Sequence, residues 1–129
     1  MRSYAREVAF CKIYTYLISR QFDEDFSQFD QNKLTEEDVK FATELTNGVI
    51  ADKLNLDAIV SQFSKSFKLS RIYRLDLAAL ELALWEMRNT DIPQAVAINE
   101  AVMLVKKYST EKSVSYVNGI LAAYVRSLQ

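Results

Sequence analysis

The stretch Leu75-Asp76-Leu77-Ala78-Ala79-Leu80-Glu81-Leu82-Ala83-Leu84-Trp85 decides the fold. Its apolar residues point almost all the way round a helix, interrupted only by Asp76 and Glu81. A surface helix keeps a polar face; one apolar on every side has to be enclosed by neighbours. The spacing therefore predicts a helix from about residue 70 to residue 87 at the centre of a bundle.

Outward from that segment, other helices supply the enclosure. Ala5, Val8, Ala9, Ile13, Tyr16 and Leu17 keep helical spacing over residues 2–20. Residues 21–33 read as an acidic loop with Phe22, Phe26 and Phe29 among Asp23, Glu24, Asp25 and Asp30. Thr35 with Asp38 resembles a capping box opening a helix that carries Phe41, Leu45 and Val49 to about Lys53. From Asn55 the stripe Leu56, Ile59, Val60, Phe63 and Phe67 marks another. Beyond the central helix, Pro93 fits a helix start, and that helix runs to about Tyr108. Ser113 is predicted to cap the last, where Val117, Ile120, Leu121, Tyr124, Val125 and Leu128 share a face. With only two glycines and one proline the chain has few turns to build. The expectation is an all-α single domain over residues 1–129, long enough to bury a core without disulfides or metal.

Composition narrows the function. There is no histidine, so the commonest general base and metal ligand are missing. The lone Cys11 can form no internal disulfide and has no histidine to activate it. Two isolated glycines make no phosphate loop, and Asp23-Glu24-Asp25 lacks a spacing that would aim carboxylates at one point. No enzyme activity, cofactor or metal is expected. Arg2, Arg6, Glu7 and Lys12 break up any signal peptide, and no uncharged run approaches the roughly 18 residues of a membrane span, which suits a cytoplasmic protein.

The net charge of −1 conceals segregation: +3 over residues 1–20, −7 over 21–60, +4 over 61–75, −4 over 76–100 and +3 over 101–129. If the terminal segments meet, their basic patches merge into one face. Tyr4, Tyr14 and Tyr16 lie among Arg2, Arg6 and Lys12, and Tyr108 and Tyr116 lie among Lys106, Lys107 and Lys112. Cations for phosphates and flat rings for unstacked bases are what single-stranded RNA recognition needs. Tyrosines at helical spacing also serve as rim-of-core residues, and Tyr16 fits that role better than ligand contact. Two further features bear on this. Gly48 and Gly119 fall inside helices at a cost of about 1 kcal/mol each: Gly48 suits close helix packing, whereas Gly119 suits either packing or a ligand's approach. Glu100, at the edge of a buried face, is expected to pair with Arg71 or Arg74.

Ala5-Arg6-Glu7, Tyr14, Leu45 with Gly48-Val49, Trp85-Glu86-Met87, Asp91-Ile92-Pro93, the run from Val96 to Val102 with Lys106, and Tyr116-Val117-Asn118-Gly119-Ile120-Leu121 occur in an order that resembles the NusB family of bacterial transcription antitermination factors, nearly end to end. The resemblance implies six or seven helices in two small bundles. It implies a factor that binds single-stranded boxA-type RNA of ribosomal RNA leaders together with NusE, a free small-subunit ribosomal protein, within an RNA polymerase antitermination complex. Carried over, Arg2 and Arg6 would meet phosphates and Tyr14 and Tyr116 would meet bases or sugars, with Lys112 and Asn118 beside them. Ser3 and Tyr4 stand where relatives often have arginine, Glu81 where arginine is common, and Lys112 where an acid is common. Three alternatives stay open: a protein-binding adaptor with a weakened RNA face, a stand-alone relative of the NusB-like domain of some RNA methyltransferases, and self-pairing into a homodimer.

Overall fold

The computed structural model describes residues 2–129, and among them it contains six α-helices and one 3-10 turn, with no strand. The helices are α1 (Ser3–Ser19), α2 (Glu36–Ala51), α3 (Lys53–Phe63), α4 (Arg74–Asn89), α5 (Gln94–Tyr108) and α6 (Glu111–Ser127), with the turn at Leu69–Arg71. The central helix of the sequence reading is α4, which packs against all five others. Leu77, Ala78, Ala79, Leu80 and Leu84 are sealed from solvent on every side of it. α1 pairs with α2 on one flank and α5 with α6 on the other, so the two bundles share α4 and a single apolar core.

Local chemistry sets the boundaries. Arg20 takes a left-handed conformation (φ 63°) and returns its N–H to the carbonyl of Tyr16, ending α1. Thr35 caps α2 by accepting from Asp38 N–H while the Asp38 carboxylate accepts from Thr35 N–H, as the capping box predicted. Thr110 caps α6 in the same way, with Ser113 as its third residue. Ser113 is thus the reciprocal partner and not the cap: placing the cap three residues upstream keeps its hydroxyl inside, next to Asp76.

Other expectations are corrected by packing. α3 ends at Phe63, and Phe67 lies beyond it, half exposed, because the chain turns at Ser64 to reach the 3-10 turn. α4 begins at Arg74 and not near Ser70, which falls inside that turn. Lys12 is buried, although the sequence groups it with the N-terminal cations. Its ammonium donates to the carbonyls of Asp23 and Asp25 and faces the Phe26 ring at 4.3 Å, strapping the acidic loop to α1. Burial lowers its pKa, against the raising pull of Asp23 and Asp25. Gly48 is a packing glycine: a Cβ there would sit 2.3 Å from the Trp85 ring.

Candidate nucleic-acid interface

Three of the residues nominated from sequence line two cavities, and the other three lie elsewhere. Lys112 and Tyr116 on α6 line a cavity of about 260 Å³ together with Phe67, Arg71, Tyr73 and Asp76. Tyr14 on α1 lines a second, of about 400 Å³, with Tyr73, Arg74 and Tyr108. Tyr73 and Thr110 belong to both, so the cavities adjoin and form one trough. Tyr14 comes from α1 and Tyr116 from α6, so the trough draws on both helices.

A polar network fixes the first cavity. Asp76, 3% exposed near the start of α4, accepts from Ser109 Oγ at 2.7 Å and from Ser113 Oγ at 2.8 Å. This ties the first turn of α4 to the cap of α6 and so places Tyr116 one turn later. The Tyr116 hydroxyl lies 2.7 Å from Ser64 Oγ, which donates to the carbonyl of Phe67. The Phe67 ring meets the Tyr116 ring edge-on at 5.5 Å. Burial pushes the Tyr116 phenol upward, its hydrogen bond with Ser64 opposes this, and the charge of Asp76 adds to the rise. Arg71 and Lys112 are exposed at the rim, and neither makes an ion pair among the described residues.

The second cavity is braced differently. Glu7 accepts from the Tyr108 hydroxyl and from Lys107 Nζ at 2.7 Å. Burial would raise the Glu7 pKa, yet these hydrogen bonds outweigh it and hold the carboxyl below its ordinary value. The Tyr108 phenol is pushed far up, by burial first and by Glu7 second, so it stays a donor.

Arg2 and Arg6 are not in the trough. Both lean over the Phe41 ring of α2, at 4.3 and 5.4 Å. Arg6 Nε donates to Glu86 at 2.9 Å and Nη1 to Glu100 at 3.1 Å, all three side chains being mostly buried. Glu100 therefore pairs with Arg6 and not with Arg71 or Arg74, because α5 crosses α1 there. Burial raises the Glu86 pKa, Arg6 opposes this, and Glu100 adds to the rise. Asn118 is exposed on α6 outside both cavities, and a Cβ on neighbouring Gly119 would meet nothing within 4 Å. Gly119 is thus not held by helix packing. Tyr16 is half-buried and is not among the residues packed on the core.

Phe67, Arg71 and Tyr73 were not nominated from sequence. Their signal was the +4 charge over residues 61–75, which contains them. That segment ends one helix and begins another, so only its folded path shows that it meets the start of α6.

The fold and the trough define an all-helical module with a surface of rings and unpaired cations, the side-chain types on which single-stranded nucleic acid is bound in general. The chain belongs to the NusB family, whose pattern matches residues 3–126. The transcription antitermination protein NusB of Acetivibrio thermocellus is 41% identical over 128 residues, covering 97% of this chain and 88% of that protein. A solved structure of T. maritima NusB superposes with a TM-score of 0.87 at 26% identity, covering 98% of this chain and 91% of the other. The fold also matches, at TM-score 0.84 and 24% identity, the NusB of a crystal structure of NusB and NusE with double-stranded RNA, over 98% of this chain and 96% of that one. Among the described residues no helix is long and apolar enough to cross a membrane, and no group of side chains could hold a metal ion.

Proposed function

We propose that the chain is a transcription antitermination factor that binds single-stranded boxA-type RNA of ribosomal RNA leaders together with NusE, supporting read-through by RNA polymerase. The observation that carries this is the trough: Tyr14, Lys112 and Tyr116, which the family resemblance assigns to RNA contact, line two adjoining cavities. Family membership supports the antitermination role, and a structural relative solved with NusE and double-stranded RNA supports binding to NusE and to RNA. Lys112 and Arg71 meet phosphates at the rim, and the tyrosine rings meet bases. Arg2 and Asn118 add contacts outside the trough. Arg6 holds α1 to α4 and α5, leaving Nη2 free of the hydrogen bonds that engage Nε and Nη1 and able to meet a phosphate.

The test is a titration of boxA-type RNA with and without NusE at several salt concentrations. With about three phosphates neutralised, log K should fall against log salt with a slope of roughly −2. Lys112→Ala should shallow that slope by somewhat less than one unit, and Tyr116→Ala should weaken binding with little change in slope. Failure to bind RNA under any of these conditions overturns the proposal. Val96 and Met103, exposed on one face of α5, favour the adaptor alternative, which predicts binding to NusE and none to RNA.

A further inference from the structure

We infer that Tyr73 is a wedge that separates two successive bases of the bound strand, one seated in each cavity of the trough. The inference rests on the RNA-binding function proposed above and adds a residue and a binding mode to it. Tyr73 is the N-cap residue of α4 (φ −56°, ψ 137°) and is 61% exposed. Its backbone is anchored on both sides. Ile72 before it is 3% exposed, and the Tyr73 carbonyl accepts from Leu77 N–H at 2.9 Å. The Arg74 guanidinium donates to the carbonyls of Leu69 and Ser70, clamping the turn that leads into it. A large ring on a fixed backbone, standing in solvent between two cavities, gains nothing for the fold by its exposure.

Each cavity has a second aromatic wall. On one side stand Phe67 and Tyr116, on the other Tyr14 and Tyr108. A base entering either cavity can stack on Tyr73 and on the opposite wall. Asp76, buried and already accepting from Ser109 and Ser113, lines the first cavity, and its negative charge disfavours a phosphate there. Arg71 and Lys112 lie at the rim, where the backbone between bases would run. Rings inside and cations outside fix which end of each nucleotide points inward.

The experiment measures binding of a single-stranded boxA-type RNA, with and without NusE, to the parent, Tyr73→Ala, Tyr73→Trp and Tyr116→Ala. Loss of stacking from Tyr73→Ala should weaken binding roughly 5- to 100-fold without changing the salt slope, while Tyr73→Trp retains affinity. Urea unfolding of Tyr73→Ala should match the parent, because the ring is exposed. Single abasic substitutions walked along the RNA should identify two adjacent sensitive positions, and both penalties should shrink in Tyr73→Ala. If Tyr116→Ala loses binding but Tyr73→Ala does not, or if the sensitive positions are single or separated, the wedge is wrong and the RNA-binding function stands. If the parent binds no RNA, both fall together.

Discussion

Glu81 gives the sharpest test of how this core is held together. It sits in the middle of α4 with no exposed surface, and its Oε2 accepts from Lys53 Nζ at 3.1 Å. Lys53 also donates to Asp57 Oδ2, so two carboxylates share one ammonium. Asp57 Oδ1 and Glu81 Oε1 are buried with no partner among the described residues. A proton held between those two oxygens would satisfy both. Burial first, and the neighbouring Asp57 second, push the Glu81 pKa up to about 9, against the pull of Lys53. The folded chain therefore keeps a proton that the unfolded chain releases near the ordinary value of 4.5. Glu81 favours folding fully below that value, and the advantage drains away as pH rises toward about 9. Each pH unit inside the window is worth at most about 1.4 kcal/mol. Glu81→Gln supplies a permanent donor toward Asp57 and an acceptor for Lys53 with nothing to titrate. Urea unfolding of both proteins, followed by Trp85 fluorescence, should show near-equal stability at pH 5. The variant should pull ahead by up to roughly 3 kcal/mol between pH 6 and pH 8. A stability gap that stays flat over that range, or a variant weaker than the parent at pH 8, would refute the shared proton.

Three further substitutions probe the fold. Gly48→Ala puts a Cβ against the Trp85 ring, so overpacking of about 1–3 kcal/mol outweighs the helix-propensity gain, and the unfolding midpoint should fall with a shifted Trp85 emission. Gly119→Ala meets open space in mid-helix and should raise stability by about 1 kcal/mol in the same assay; a loss would show that something unseen packs there. Arg6→Ala leaves Glu86 and Glu100 side by side without their cation, costing about 3 kcal/mol. Because Glu86 already has a raised pKa, protonation relieves the clash, so that deficit should be smaller at pH 5 than at pH 8 in calorimetry.

The sequence by itself determined the helical class, the enclosed position of α4 and most helix boundaries, because periodicity, capping residues and proline act over a few neighbouring positions. The 3.6-residue repeat of Leu56, Ile59 and Val60 needs no distant partner to be recognised. Rings beside cations marked Tyr14, Lys112 and Tyr116 in the sequence, but their assignment to RNA contact came from the family resemblance, because tyrosines at helical spacing serve the rim of a core equally well. Pairings across the chain were decided only by the tertiary structure. Arg6 could reach several carboxylates by sequence, and the packing of α1 against α4 and α5 chose Glu86 and Glu100. Lys12 has the sequence setting of a surface charge, and only the fold brings the loop that follows α1 back over it. Tyr73 carries no local sign of function. It matters because the turn before α4 sets it between residues that lie roughly 60 positions upstream and 40 downstream, and such proximity is a property of packing that no local pattern encodes.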